Sequence, residues 1–206
     1  MAEQAGGDLD GNDQDGNGPG GRPDTAHQAH VSVVRLPNGT GASFADIALV
    51  ATDAERAGAT AVVAGPATAG GFEPFTLLGA LSAVTSSIGL VAAVDPLADP
   101  PYTVARKAVS LGHLSGGRAG VLVPSGSAVT DEFTTVLHAL WSAESADAFP
   151  RDRASGVYAR EGGRPAIDHV GAHFRVAGPL NISRAAQGSP VVYRGSEIGP
   201  VWEDRA

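Results

Sequence analysis

The sequence contains no cysteine and a single methionine among its 206 residues. The absence of cysteine excludes a disulfide framework, a thiolate metal site and a cysteine nucleophile. No run of about 18 apolar residues occurs, so the sequence offers no candidate for a membrane-spanning helix. The start of the chain, Met1 to Gln4, lacks the basic and apolar stretches of a secretory signal peptide. We therefore expect a cytoplasmic protein with no membrane partner.

Basic residues are also scarce. The chain has 14 lysines and arginines against 22 aspartates and glutamates, which gives a formal net charge of -8. A protein that binds the phosphate backbone of nucleic acid carries an excess of positive charge, so this balance argues against nucleic acid as a partner. A chain of this length can bury one sizeable core, and a single domain is the expectation.

The first part of the chain is poor in apolar residues. The stretch from 6 to 24 consists almost entirely of Gly, Asp, Asn and Gln with two prolines. Such a composition cannot bury enough apolar surface to offset the entropy of ordering. The acidic residues there lack the terminal bidentate Glu of a calcium loop. The composition predicts a disordered tail over residues 1–29, followed by one domain over residues 30–206.

From residue 30 onward, two periodicities alternate along the chain. Helical patterns separate short apolar, β-branched runs, which cover residues 30–36, 60–66, 88–94, 119–124 and 190–194. Such alternation predicts the α/β class, with about five parallel strands joined by helices. In proteins of this class the ligand-binding site lies at the carboxyl ends of the strands, where Gly and Ser could hold a phosphate. No glycine-rich dinucleotide fingerprint or P-loop follows the first strand.

Local sequence features predict where the helices begin. Ser43 is placed as an N-cap, and Gly58 ends that helix. Glu73 and Pro74 open a helix predicted over 73–86, with a carboxylate near the positive end of the helix dipole. That helix is expected to bury the apolar side chains of Leu77, Leu78, Leu81 and Val84.

Two long stretches resemble a known family. The first runs from residue 72 through His113-Leu-Ser-Gly-Gly-Arg-Ala-Gly120, and it resembles the bacterial luciferase-like flavin monooxygenases. The second begins Ile167-Asp-His-Val-Gly-Ala-His-Phe-Arg-Val-Ala-Gly-Pro-Leu-Asn181. It is similar to the subgroup of nitrilotriacetate monooxygenase component A and the dibenzothiophene sulfone and pristinamycin monooxygenases. The resemblance extends over about 43–199.

The resemblance implies a TIM-like (β/α) barrel that binds reduced FMN at its carboxyl face. A separate flavin reductase supplies the FMN, and dioxygen oxygenates a small organic substrate while one oxygen atom leaves as water. The cofactor carries the chemistry and the protein positions it. The FMN phosphate loop is expected at Gly195, Ser196 and Glu197. No catalytic residue and no metal site are assigned.

Several positions depart from the family pattern. Ala64-Gly65-Pro66 stands where the family has an acidic residue, and residues 93–97 replace a Ser/Thr cluster near the flavin. Val121-Leu122 stands in place of a Trp-Asn pair, and the short connection from Ser125 to Thr130 lacks a cofactor-binding segment with His and Tyr. Because apolar residues cannot hydrogen-bond the flavin, these changes predict weakened or lost activity.

The number of strands leads to the same expectation. A closed barrel needs eight strands, and this sequence offers about five. The sequence therefore predicts a partial barrel and a truncated enzyme. The alternatives are one half of a split enzyme, and a non-catalytic partner that assembles with itself or with a paralogue through an open sheet edge.

The predicted insertion, residues 143–189, contains most of the remaining polar candidates. His169 and His173 are spaced like metal ligands but flank a turn, which disfavours a metal site. Asp168 and Arg175 are expected to pair across a hairpin. Outside the insertion, His113 is expected to bind backbone carbonyls, Arg118 to stabilise the fold, and Trp141 to lie in the core.

Overall fold

The computed structural model describes residues 32–65 and 71–195. One sheet contains five parallel strands in the spatial order β1-β2-β3-β4-β7, namely β1 (Val33–Arg35), β2 (Ala61–Ala64), β3 (Gly89–Ala93), β4 (Ala119–Val123) and β7 (Val191–Arg194). The connecting helices are α1 (Phe44–Arg56), α2 (Pro74–Leu81), α3 (Pro101–Leu114) and α4 (Ala128–Ser142). The predicted α/β class with five parallel strands is confirmed. The predicted tail, residues 1–29, lies outside the described residues.

Side-chain caps explain where three of the helices begin. The Ser43 hydroxyl accepts a hydrogen bond from the Asp46 amide at 3.2 Å and starts α1. The Glu73 carboxylate accepts one from the Thr76 amide at 2.8 Å, with Pro74 in the first turn of α2. Ser127 caps α4 through the Thr130 amide at 3.2 Å. Each cap satisfies an amide that has no partner inside its helix.

The helix α2 is shorter than the sequence predicts. It ends at Leu81, and Val84 is 47% exposed, so the prediction that Val84 is buried was wrong. The cause lies in the Arg118 guanidinium, which donates to the carbonyls of Ser82 and Thr85 at 3.1 and 3.0 Å. In a longer helix the Ser82 carbonyl would accept from the Ser86 amide, but that amide donates to the Glu55 carboxylate at 2.9 Å instead.

The two faces of the sheet carry two separate apolar clusters. The larger cluster joins the sheet to the helices and contains Val62, Leu90 and Val121 from the strands. The smaller cluster lies on the opposite face, here called the inner face, and contains only strand residues, with Val33, Ala61, Val63, Val91 and Leu122 at its centre. Side chains alternate between faces along each strand, as the pleat of a β-strand requires.

Glycines occupy two positions on the inner face where neighbouring strands approach closely. A Cβ atom at Gly120 would lie 3.2 Å from the Val191 carbonyl oxygen and 3.2 Å from a Val91 methyl group. A Cβ atom at Gly89 would lie 3.1 Å from both Ala61 Cβ and the Thr60 carbonyl oxygen. A side chain at either position would therefore force its neighbours to move by a few tenths of an ångström.

A long connection runs from α4 to β7. It contains a two-stranded antiparallel hairpin, formed by β5 (His169–Val170) and β6 (Arg175–Val176). The segment that follows the hairpin, residues 178–188, crosses the outer surface of α3 and is here called the strap. None of the helices in the two described ranges is long and apolar enough to cross a membrane.

Candidate active site

The carboxyl ends of the five strands meet at one edge of the sheet, which is where open α/β sheets bind their ligands. The residues at or just beyond these ends are Asn38, Gly65, Asp95, Ser125 and Gly195. Their roles differ, because Asn38 and Asp95 form hydrogen bonds that shape the loops at this edge, whereas the two glycines add no side chain there.

The side chain of Asn38 joins the first two strand ends. Its amide nitrogen donates to the Phe72 carbonyl at 2.7 Å and to the Gly65 carbonyl at 3.3 Å, and its amide oxygen accepts from the Phe72 N–H at 2.8 Å. The Arg35 guanidinium lies against Gly65, where a Cβ atom would stand 3.2 Å from Arg35 Nη2. Neither polar residue stands out in the sequence, because Arg35 falls within the first apolar run and Asn38 lies two residues beyond it.

The turn after β4 lies beside the end of β7. The Gly195 amide donates to the Val123 carbonyl at 2.9 Å, which continues the pairing of the two strands. A Cβ atom at Gly195 would meet nothing closer than 3.8 Å, and the Ser125 amide and hydroxyl oxygen lie at 3.9 Å. Gly126 has a φ of 86° with open space around it. Two glycines and a serine therefore lie together next to the first turn of α4, and this group is here called the cradle.

The predicted phosphate loop is only partly described. Gly195 lies at the cradle, as its place in the sequence requires, whereas Ser196 and Glu197 lie outside the described residues. The assignment of these three residues to FMN stays a prediction.

A flat row of side chains lies on the inner face near the carboxyl edge. Ala93, Leu122 and Tyr193 are direct neighbours across β3, β4 and β7. Leu122 is buried, Ala93 and Tyr193 are half-buried, and burial raises the pKa of the Tyr193 phenol. The row offers an apolar floor for a planar ring, with the Tyr193 hydroxyl as its one side-chain hydrogen-bonding group.

Two carboxylates of the loop after β3 accept hydrogen bonds from amides of the same loop. Asp99 accepts a hydrogen bond from the Asp95 amide, and Asp95 accepts one from the Leu97 amide, both at 2.9 Å. These bonds shape the loop between β3 and α3.

Glu132 connects α4 to the hairpin. The His169 ring donates from Nε2 to its carboxylate at 3.0 Å, and the amides of His173 and Phe174 donate to it at 2.9 Å. The hydrogen bond from His169, followed by those from Phe174 and His173, lowers the pKa of Glu132 to about 2. Glu132 could not be predicted as a site residue, because nothing in its helix distinguishes it from a solvated carboxylate.

The structure tests the expected pairing of Asp168 with Arg175 in the insertion. Asp168 and Arg175 form no ion pair in the described structure, so that expectation was wrong. The hairpin register explains this, because Arg175 lies opposite Val170, and Asp168 lies beyond the paired residues. The described ranges contain no cluster of three or more His, Asp or Glu residues that could hold a metal ion.

The three single residues act structurally. The His113 ring donates to the Ser183 carbonyl at 2.8 Å, which ties the strap to α3. The Arg118 guanidinium donates four hydrogen bonds to groups of residues 82–88 and one to the Ser115 carbonyl. Trp141 is 2% exposed and donates from Nε1 to the Ala105 carbonyl at 3.1 Å. The expectations of a carbonyl-binding imidazole, a fold-stabilising arginine and a core tryptophan are confirmed.

Comparison with known proteins identifies the family. The family model described as luciferase-like monooxygenase matches residues 26–201. The chain belongs to this family. It is 43% identical over 164 residues to a subunit of the pristinamycin IIA synthase of Streptomyces pristinaespiralis, covering 75% of this chain and 58% of that protein. It is 36% identical over 148 residues to nitrilotriacetate monooxygenase component A of Aminobacter aminovorans, covering 62% of this chain and 33% of that protein.

The fold of this luciferase-like chain is shared with a riboflavin lyase, which was solved with modified FMN and riboflavin. The two are 24% identical with a TM-score of 0.67, and the match covers 79% of this chain and 48% of that one. The chain thus spans about a third to three fifths of the length of these relatives. The resemblance read from the sequence is confirmed at the level of the family and its subgroup.

Proposed function

We propose that this luciferase-like chain binds reduced FMN at the carboxyl edge of its sheet and acts in a two-component monooxygenase. The observation that carries the proposal is the combination of the cradle at Gly195 and Ser125 with the flat row of Ala93, Leu122 and Tyr193. Backbone amides beside a helix start, with glycines in place of larger residues, suit a phosphate group, and the apolar row suits a planar ring.

The proposed division of labour follows from these groups. FMN supplies the reactivity towards dioxygen when it is bound. The turn at Ser125 and Gly126 would hold the phosphate. The apolar row would exclude water from the ring. A flavin reductase and a small organic substrate are the proposed partners, and the cytoplasm is the proposed location.

We also propose that FMN binding is weaker than in a relative with polar ring contacts. Ala93 and Leu122 offer the ring no hydrogen bonds, and each missing hydrogen bond costs about 1 kcal/mol. Two or three missing contacts reduce affinity by roughly one to two orders of magnitude. Oxygenation is expected to be slow for the same reason, since a loosely held ring is poorly oriented.

Titration of the purified chain with FMN, followed by flavin fluorescence, tests the proposal. We expect saturable binding with a Kd below about 100 μM, and weaker binding of riboflavin, which has the ring but lacks the phosphate. Gly195→Val fills the cradle and should weaken FMN about tenfold while leaving riboflavin unchanged. Arg153→Gln, at an exposed position of the insertion, is the matched control. No saturable change at about 100 μM FMN would reject the proposal.

A second function, assembly with another luciferase-like chain, is favoured by one edge of the sheet. Among the described residues, β7 pairs only with β4, and Val191 is 50% exposed. An edge of this kind can accept a further strand. Light scattering alone and with a co-expressed relative distinguishes the two functions, because a monomer that binds FMN and ignores the relative excludes assembly.

A further inference from the structure

A concave surface lies beside the hairpin, away from the residues proposed to contact the flavin. It is a groove of about 530 Å³ between the loop after β3, the first turn of α3 and the β6 side of the hairpin. We call it the hairpin groove. Its volume lies within the range of pockets that hold small molecules. The walls include Leu97, Asp99, Pro100, Tyr102, Phe174 and Val176.

The walls of the hairpin groove are mainly apolar. Leu97 is 83% exposed at its rim, which is unusual for a large aliphatic side chain. Phe174 and Val176 form the opposite wall and pack against the helix-side core. A concave apolar surface in contact with water gains free energy when an apolar ligand covers it.

The charges of the groove are separated between its two walls. On the hairpin wall, Arg175 is exposed and forms no ion pair with any described residue, and His173 lies beside it. On the loop wall, Asp99 carries a negative charge and accepts the Asp95 amide. An acidic ligand group would therefore be attracted to the hairpin wall and repelled from the loop wall.

The hairpin groove is separate from the proposed flavin floor. Its apolar residues Tyr102, Phe174 and Val176 pack against the cluster on the helix side of the sheet. Ala93, Leu122 and Tyr193 belong to the inner face. The apolar walls of the two surfaces thus lie on opposite faces of the sheet, and the loop after β3 at the carboxyl edge contributes Leu97 and Asp99 to the groove.

Glu132 keeps the hairpin wall in place. Its carboxylate, with a side chain 14% exposed, accepts three hydrogen bonds from the hairpin. The Phe133 and Phe174 rings meet edge to face, with 5.7 Å between their centroids. A wall held from behind by hydrogen bonds and ring packing is preorganised, so little ordering entropy is lost on binding.

We propose that the hairpin groove binds a small amphipathic anion, with its apolar body against Leu97, Phe174 and Val176 and its acidic group at Arg175. The proposal concerns a ligand site distinct from the carboxyl-edge cradle. It stands or falls independently of FMN.

Titration with 8-anilinonaphthalene-1-sulfonate, followed by its fluorescence, tests the proposal at low ionic strength. Its neutral counterpart N-phenyl-1-naphthylamine has a similar ring body without the acid. We expect one saturable site for the sulfonate, with tighter binding than the neutral probe. Arg175→Gln should weaken the sulfonate about tenfold, which corresponds to about 1.4 kcal/mol, and leave the neutral probe unchanged.

Three further variants sharpen the test. Asp99→Asn removes the repelling charge and should strengthen sulfonate binding severalfold, whereas Leu97→Asp should weaken both probes. Arg153→Gln, an exposed arginine of the insertion outside the groove, should change neither. Far-UV circular dichroism of each variant verifies that it is folded.

Each contrary outcome overturns the proposal. If the sulfonate shows no saturable binding, the proposed site does not exist. If Arg175→Gln and Arg153→Gln change sulfonate affinity equally, the sulfonate does not bind at the hairpin groove. Equal affinity for both probes removes the preference for an anion. Displacement of the sulfonate by FMN would show that the two surfaces are one site.

Discussion

Gly171 is the point of closest approach between the hairpin and α4. A Cβ atom there would lie 2.0 Å from Glu132 Oε1 and 2.6 Å from His169 Nε2. The glycine is therefore required by the carboxylate that organises the hairpin. The same contact gives a physical reason for the His169-Val-Gly171 pattern, which lies within the second stretch that resembles the family.

We predict that Gly171→Ala destabilises the protein by about 1–3 kcal/mol, because the new methyl group and the carboxylate cannot occupy the same space. Denaturant unfolding at neutral pH measures the loss. The double variant Glu132→Ala/Gly171→Ala removes both the clash and the hydrogen bonds. Its cost should be smaller than the sum of the two single costs, and strict additivity would contradict this account.

At the scale of elements, α3 explains why the two signature stretches occur together. The Tyr102 hydroxyl accepts from the Asn181 amide at 3.2 Å, and Arg106 Nε donates to the Asn181 side-chain oxygen at 2.7 Å. His113 binds the strap further along. Gln187 at the end of the strap binds both the amide and the carbonyl of Ala119. The stretches thus form one contact surface.

Two helical glycines should respond in opposite ways to alanine. Alanine normally stabilises a helix relative to glycine by about 0.5–1 kcal/mol. At Gly79 in α2 the new Cβ meets only a Leu114 methyl at 3.6 Å, so Gly79→Ala should stabilise by that amount. At Gly112 in α3 the Cβ would lie 2.9 Å from Ala185 Cβ, so Gly112→Ala should destabilise by about 1–3 kcal/mol.

Thermal unfolding of the two variants measured side by side provides the test, since each is the control for the other. Equal shifts of the melting temperature for Gly79→Ala and Gly112→Ala would mean that the strap does not pack closely against α3 at Gly112. A stabilising effect at Gly112 would contradict the contact with Ala185 outright.

At the scale of the whole molecule, hydrogen-bonded carboxylates tie stability to pH. Hydrogen bonds from the amides of Ser87 and Ile88, with others from Ser86 and the Ser87 hydroxyl, lower the pKa of Glu55 from 4.5 to about 2. Glu132 also has a pKa of about 2. A lowered pKa stabilises the folded state above about pH 4.5, and this stabilisation is lost as the pH falls towards 2.

We predict that the denaturant midpoint falls steadily between about pH 5 and pH 2. Glu55→Gln should lower stability at neutral pH and flatten this dependence, because its side chain does not titrate. Asp46→Asn changes another α1 carboxylate and serves for comparison. A wild-type midpoint that does not change over this range would contradict the role of these carboxylates.

Much of the fold could be predicted from the sequence. Apolar runs located all five strands of the sheet, and helical periodicities and caps located α1 and the start of α2, because local patterning decides them. The end of α2 could not be predicted, since Arg118 reaches it from a distant part of the chain. Only folding brings Glu132 to the hairpin or Arg35 to Gly65, so no local pattern marks either contact. The pairing of Asp168 with Arg175 was predicted from their charges alone, but the hairpin register places Arg175 opposite Val170.

The burial of Trp141 gives the molecule an optical reporter. The sequence has two tryptophans, and Trp202 lies outside the described residues. Trp141 is 2% exposed, and its indole N–H binds the Ala105 carbonyl in the neighbouring helix. In a Trp202→Phe background, the emission of one indole would follow the packing of α4 on α3. Separation of these helices would register as a red shift, without any attached dye.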